Sequence, residues 1–352
     1  MDRPDRPPRR SQLRSTRGHV RLEQRPTLPR RILWGVGIVV GLVVLILVVR
    51  QVVLPSLDEE KTPTENRTWL DVDWTQQPED SVRQLADRLK SSRITMVYLE
   101  AGVWYSDGSF QEVQNATAFA QMLRTSYPGV KILLWLREVD IDKISAASTH
   151  NLLVDLARKA VKEWKLDGVQ LQGSRIANGS NLYLQMLRDL RQSIGSGAIL
   201  SVTVPADRIP TNPSVPVGTE MTDAGDLTWD MDYKQGVGLL LVDEVVIMAH
   251  ASSLTSAADY QKWVAYQVDS YADVLGKLSN EVPIIVALPT YSLAPGHDPA
   301  VESLDAGIKG VKAGIKDAKD AGQLVKGIAL YVYKETEPLE WTKFQEAWLT
   351  AE

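Results

Sequence analysis

Asp167-Gly168-Val169-Gln170-Leu171-Gln172-Gly173-Ser174 alternates aliphatic and polar side chains with a period of two. Residues two apart on a strand point the same way, so Gln170 and Gln172 share one face and Val169 and Leu171 the other. The run is flanked by two amphipathic stretches, 145–165 and 180–194. In the second, Leu182, Met186, Leu187 and Leu190 recur at helical spacing. A strand between two helices, with both amides on one face, reads as one unit of an α/β fold whose sheet is covered by helices.

The same alternation extends in both directions. Strand candidates are 69–74, 94–99, 131–136, 168–171, 199–204, 244–248, 283–288 and 327–331. Helix candidates lie near 79–91, 111–126, 145–165, 180–194, 219–235, 256–279, 299–321 and 338–349. Eight alternations over roughly 280 residues fit one (β/α)8 TIM barrel better than two domains. An open doubly wound sheet shares the pattern, but the glycine fingerprint of a dinucleotide fold is missing after the first strand, where Asp71-Val72-Asp73-Trp74-Thr75 stands instead. The segment 209–222, rich in Pro, Gly and Thr, reads as a long loop over the barrel mouth.

Upstream the composition changes sharply. Residues 1–31 carry ten arginines, no lysine and three acids, a formal charge of +7, with prolines throughout, and read as a disordered basic arm. From Ile32 to Val49 eighteen residues pass without a charge, and the apolar character resumes at Val52 to Leu54. About 20 such residues span a bilayer core, so 32–54 is expected to be a single transmembrane anchor, and the basic flank keeps the N-terminus in the cytoplasm. Val52-Val53-Leu54-Pro55 offers no small-residue cleavage site for a signal peptide. Residues 55–68 read as a polar linker, and 69–349 as an extracytoplasmic barrel.

With −5 on the whole chain and +7 on the arm, residues 32–352 carry −12, which argues against nucleic acid as a partner. No cysteine is present, so disulfides and thiolate metal sites are excluded. No second histidine or acid stands at ligand spacing from His250, so no metal is expected, and no cofactor motif or nucleophile elbow occurs. Asn66, Asn115 and Asn178 head N-x-S/T sequons, which matter only in a eukaryotic secretory pathway.

The unit LDGVQLQGSRIANGSNLYLQMLRDLRQSIGSGAILSVTVPA (166–206) resembles the fourth unit of glycoside hydrolase family 18, whose strand carries D-G-x-D-x-D-x-E. Pro289-Thr290-Tyr291 and 327–331 are similar to later segments of that family. The resemblance implies a chitinase-like barrel. In that family the glutamate protonates the leaving oxygen, and the preceding aspartate orients an N-acetyl group whose carbonyl oxygen attacks the anomeric carbon. Here Asp167 and Gly168 match, but the three acids fall on Gln170, Gln172 and Ser174. A serine hydroxyl is no general acid near neutral pH and an amide cannot hold charge, so hydrolysis of the family type is not expected at this strand.

Two roles remain for these positions. Amides suit the donors and acceptors of sugar hydroxyls, so Gln170, Gln172 and Ser174 are carbohydrate-binding candidates; a hydrogen-bonded barrel core is the alternative. Asp71 and Asp73 alternate on the first predicted strand, and Tyr98 and Glu100 on the second. If these strands adjoin, Asp73 and Glu100 approach the roughly 5 to 5.5 Å separation of a retaining glycosidase. The competing reading is a charge network closed by Arg137.

Ten tryptophans and eleven tyrosines stand against three phenylalanines. Flat faces with polar handles suit pyranose stacking, and Trp74, Trp104, Tyr105, Trp135, Tyr291 and Tyr333 fall at or just after strand C-termini, with Tyr331 a platform or a packing residue and His250 ending the sixth strand. Three outcomes are therefore open: a carbohydrate-binding barrel without family-type catalysis, a glycosidase using Asp73 and Glu100, or an envelope scaffold that binds protein partners.

Overall fold

A computed structural model describes residues 65–105, 109–140, 144–207, 228–240 and 242–350. The basic arm, the expected anchor at 32–54, all of the linker before residue 65, and the loop 209–222 lie outside them. Among the described residues no helix is long and apolar enough to cross a membrane.

Eight parallel strands close into a barrel: β1 (Asn66–Leu70), β2 (Ile94–Glu100), β5 (Lys131–Asp140), β6 (Gly168–Ser174), β7 (Ile199–Val204), β8 (Glu244–Met248), β9 (Ile284–Pro289) and β10 (Val325–Tyr331). The order around the barrel is β1-β10-β9-β8-β7-β6-β5-β2. Between β2 and β5 a short antiparallel hairpin, β3 (Gly102–Trp104) with β4 (Phe110–Glu112), precedes the helix Ala116–Ser126. The TIM-barrel expectation holds, and β6 is its fourth strand.

The helices form where their apolar stripes meet the sheet. Glu79–Ser91 buries Val82, Leu85, Ala86 and Leu89, with Glu79 and Asp80 in its first turn and Arg88 and Lys90 in its last, each sign matched to the helix dipole. Asn181–Ile194 is capped by Ser180, whose Oγ accepts the Tyr183 N–H at 3.3 Å, and buries Tyr183, Met186, Leu187 and Leu190. Val169 and Leu171 pack in this outer layer between strands and helices. A separate inner cluster fills the lumen, with Trp69, Met96, Tyr98, Leu133, Trp135 and Ile285 among its members.

The first strand departs from expectation. It begins at Asn66 and ends at Leu70, and a 3-10 turn, Val72–Gln76, follows where 69–74 was read as strand. Asp71 Oδ1 accepts the Asp73 N–H at 3.1 Å and Thr75 Oγ1 donates to the Val72 carbonyl at 2.9 Å, so local side-chain bonds end the strand. Asp71 and Asp73 therefore do not alternate along β1. Asn66 is fully buried, its Oδ1 accepting from Ile328 N–H and Trp348 Nε1, which removes it as a glycosylation acceptor in the folded chain.

One device recurs at the N-terminal end. Asp167, just before β6, accepts from Arg124 (2.6 Å) and from the Ile132 N–H of β5 (2.8 Å). Asp243, just before β8, accepts from Arg191 and from the Leu200 N–H of β7 (2.8 Å). In both cases a carboxylate ties the start of the preceding strand to an arginine of the helix that runs into that strand. Gly168 is held for space, since a Cβ there would lie 2.0 Å from the Ile199 carbonyl oxygen. The two motif positions that match the family-like pattern thus have structural work at the far end of the strand from the mouth.

Candidate functional site

The C-terminal mouth collects Gln172, Ser174, His250, Tyr291 and Tyr331. Gln172 is buried near the end of β6, with Oε1 accepting from Trp135 Nε1 at 2.9 Å and Nε2 donating to the Tyr331 hydroxyl at 3.4 Å. Tyr331 ends β10 and lies parallel to the His250 ring, 5.0 Å between centroids and 15° between planes. His250 follows β8, its Nδ1 lies 2.9 Å from the Tyr291 hydroxyl, and its Nε2 is buried without a partner among the described residues. Burial disfavours the imidazolium and pushes the His250 pKa down from 6.5 to about 4, so the ring is neutral. The Tyr291 hydroxyl is pushed above its ordinary value, chiefly by burial, and keeps its proton. Ser174, half-buried, closes β6 opposite Asp140 of β5.

The inward and outward assignment of β6 holds, yet its two amides differ. Gln170 lies two residues deeper, fully buried, with neither Nε2 nor Oε1 partnered, and it leaves a ligand at the mouth no exposed surface. Tyr98 is also removed from the mouth. Its hydroxyl donates to Glu244 Oε1 at 2.6 Å, and the same carboxylate receives Ser201 Oγ (2.8 Å) and Arg67 Nε and Nη2 (3.1 and 2.9 Å). This buried cluster closes the lumen near the N-terminal end, because Glu244 is the first residue of β8.

Asp73 and Glu100 are not brought together. Glu100 is buried, with Oε1 3.2 Å from Arg137 and Oε2 accepting the Val72 N–H at 3.3 Å. It lines a cleft of about 230 Å³ with Trp104, Trp135 and Arg137, under the β3–β4 hairpin. Asp73 is exposed and paired with Lys334 at 3.0 Å, which also reaches Asp71 at 3.4 Å. These two aspartates line a different cleft of about 610 Å³, with Trp74, Tyr333, Arg88 and Trp341. The charge-network reading holds for Glu100, which Arg137 meets, whereas Asp71 and Asp73 are met by Lys334 instead, so the two carboxylates of the displaced pair take different partners. Of the aromatic candidates, Trp135 is buried as a lumen wall, Trp74 packs edge-on against Tyr333 at 5.4 Å, and Trp104 stands beside Phe110 at 4.8 Å.

The barrel is similar to the spore cortex-lytic enzyme SleL of Bacillus cereus, with a TM-score of 0.52 at 14% identity over 82% of this chain and 75% of that one. It is equally similar, at 0.52, to a plant class V chitinase mutant from Cycas revoluta in complex with (GlcNAc)3, at 13% identity over 81% of this chain and 99% of that one. A family 18 N-acetylglucosaminidase from Paenibacillus barengoltzii follows at 0.50, with 12% identity over 81% and 99%. The fold is the (β/α)8 barrel that these structures share. No family model matches the chain, and no curated protein does. On this barrel, the strand on which the sequence resemblance expects the acids carries Gln170, Gln172 and Ser174.

Sequence reasoning missed the support beneath His250. Glu302, fully enclosed, accepts from the backbone N–H groups of Ala251 (2.9 Å) and Ser252 (2.6 Å), from Ser252 Oγ, and lies 2.6 Å from His297 Nδ1. His297 Nε2 reaches the Tyr291 carbonyl at 3.0 Å. The pair holds the loops after β8 and β9 together and so fixes His250 against Tyr291. A histidine and a glutamate five apart in a loop carry no periodic signal that announces this.

Proposed function

We infer that this chain is a membrane-anchored, extracytoplasmic barrel that binds a cell-wall or N-acetylated glycan at its mouth without family-type hydrolysis. The observation that carries the reading is the fourth barrel strand. Gln172, its oxygen committed to Trp135, and Ser174 stand where the resemblance puts a charge-bearing aspartate and the proton donor. Neither side chain supplies the acid or the negative charge that a developing oxocarbenium ion requires. The likeness to enzymes whose names record chitinase, N-acetylglucosaminidase and cortex-lytic activity supports a glycan as ligand. The eighteen uncharged residues from Ile32 to Val49 behind an arginine-rich arm support the anchor and the outward-facing barrel.

The test is made on the full chain in detergent, with chitin oligosaccharides, peptidoglycan fragments and neutral glucans, following binding by calorimetry and products by mass spectrometry. Binding without new reducing ends is the expected result. Cleavage at a rate that survives replacement of contaminating activity overturns the non-hydrolytic reading, and absence of binding to every glycan turns the function towards protein partners.

A further inference from the structure

The loops after β1 and β10 meet at the rim of the mouth, because the two strands are neighbours in the barrel. From that rim a cleft of about 610 Å³ follows the flank between the helices Glu79–Ser91 and Pro338–Phe344. Its two walls differ in chemistry. One is a row of three rings, in which Trp74 stands edge-on to Tyr333 at 5.4 Å and Tyr333 lies 5.5 Å from Trp341. Trp74 and Tyr333 are half-buried, so part of each ring is left to the cleft.

The other wall is one face of the helix Glu79–Ser91. Ser81, Gln84 and Arg88 stand at i, i+3 and i+7, a spacing that lines up side chains along one helix face over about 10 Å. Among the described residues none of these three side chains has a hydrogen-bond or ion-pair partner; the Arg88 guanidinium rests over the Trp341 ring, 5.6 Å from its centre. At the rim Lys334 is shared by Asp71 and Asp73. Two carboxylates and two cations line the cleft, so it carries no net charge. The barrel is closed, and no strand edge is offered here to an extended peptide.

We propose that this cleft is a second carbohydrate surface, which takes a neutral, equatorially linked pyranose chain where it leaves the mouth. Such a chain is a flat ribbon with apolar C–H faces and hydroxyl edges. Its faces lie on Trp74 and Tyr333, and its hydroxyls replace water on Ser81, Gln84 and Arg88. The proposal rests on the glycan-binding reading and extends it: the length of the chain, not a single sugar unit, sets the affinity. A peptide docked as an amphipathic helix would need an apolar groove, and only one wall here is apolar.

The experiment measures affinity against chain length, on the full chain in detergent, by calorimetry with the dimers and hexamers of cello- and chito-oligosaccharides. In at least one series the hexamer is expected to bind about thirtyfold tighter than the dimer, beyond the small gain that extra binding registers supply. The series that shows it tells a glucan from an N-acetylated chain. The gain should persist as salt rises, because the lining is neutral; a gain that collapses in salt assigns the cleft to a charged ligand and overturns the proposal. Trp74→Ala should abolish the gain. Gln84→Ala, at an exposed helix position, should reduce it about threefold, and it keeps the test decisive if Trp74→Ala fails to fold. Equal binding of dimer and hexamer, or a gain unchanged in the folded variants, overturns the proposal and leaves the glycan reading standing. No binding of any of the four removes the glycan reading for neutral chains, and the proposal with it. A proline-rich peptide that binds the wild-type chain but not Trp74→Ala, with no gain for the hexamers, overturns the proposal by giving the cleft to a protein partner.

Discussion

At the N-terminal end of the lumen, Glu244 receives hydrogen bonds from Arg67, Tyr98 and Ser201, all buried. At the C-terminal end, among the described residues, His250 Nε2 is buried with no partner and Gln172 has a hydrogen to spare. Positive φ does not separate the two ends: Arg175, Ala251 and Ser253 take it after strands, and Arg93 and Lys165 take it just before β2 and β6. A polar cluster whose members satisfy one another has nothing left for a ligand and acts on stability. One with unmet polar groups keeps hydrogen-bonding capacity for a ligand or water. Barrels in general divide their labour this way, with stability at the N-terminal face and chemistry at the other.

The strongest way to break the contrast is to cut the satisfied end. Glu244→Leu leaves the buried Arg67 guanidinium only the exposed Glu65 carboxylate, 3.2 Å away, and losing the buried partner of such a charge costs up to about 3–5 kcal/mol. The loss should appear as an earlier midpoint in denaturant unfolding. Replacing both partners, Arg67→Met with Glu244→Leu, should recover most of it, because the charge that required compensation is gone. A double variant as unstable as the single one would mean that Tyr98 and Ser201, and not Arg67, are what Glu244 serves.

The unsatisfied end has its own signature in pH. The folded chain protonates His250 near pH 4, and an unfolded histidine does so near 6.5. Between those values the unfolded state binds the extra proton, so stability is complete above pH 6.5 and falls as pH drops towards 4, by roughly 3 kcal/mol in all. His250→Asn should flatten that part of the stability profile. An unchanged slope in the variant would place the titration elsewhere.

How much of this was legible beforehand follows the same division. Period-two and helical patterns in the sequence placed all eight barrel strands and the inward face of β6, because burial on one side of an element leaves a periodic trace. The end of β1 was misread because Asp71 and Thr75 stop the strand by side-chain bonds that hydrophobic pattern does not record. The proposed meeting of Asp73 and Glu100 failed for the same reason: once β1 ends at Leu70, Asp73 turns outward to Lys334. Tyr98 and Gln170 were correctly assigned to strands with their neighbours, but depth along the barrel axis depends on stagger between strands, which a single sequence does not carry. Gln172 and His250 were legible as mouth residues because each stands near a strand's C-terminal end. The side chains that orient them were not, since Trp135 and Tyr291 are 37 and 41 residues away in the chain.

The smallest predicted effect tests whether the contrast reaches into the middle of the barrel. Gln170 carries two unpartnered amide atoms in a lumen otherwise walled by Trp69, Tyr98, Trp135 and aliphatic side chains. If that space is dry, the amide forfeits its hydration for nothing, and Gln170→Met, similar in length and apolar, should stabilise the chain by about 1 kcal/mol while leaving glycan binding unchanged. If water occupies the space and bridges the amide, the same substitution should cost a comparable amount, because the water loses its anchor. Thermal unfolding of the variant separates the two by sign. A gain assigns Gln170 to neither end and makes it a polar residue that the barrel merely tolerates. A loss extends the hydrated, ligand-ready region from the mouth down to the level of Ser201, where the self-satisfied cluster around Glu244 begins.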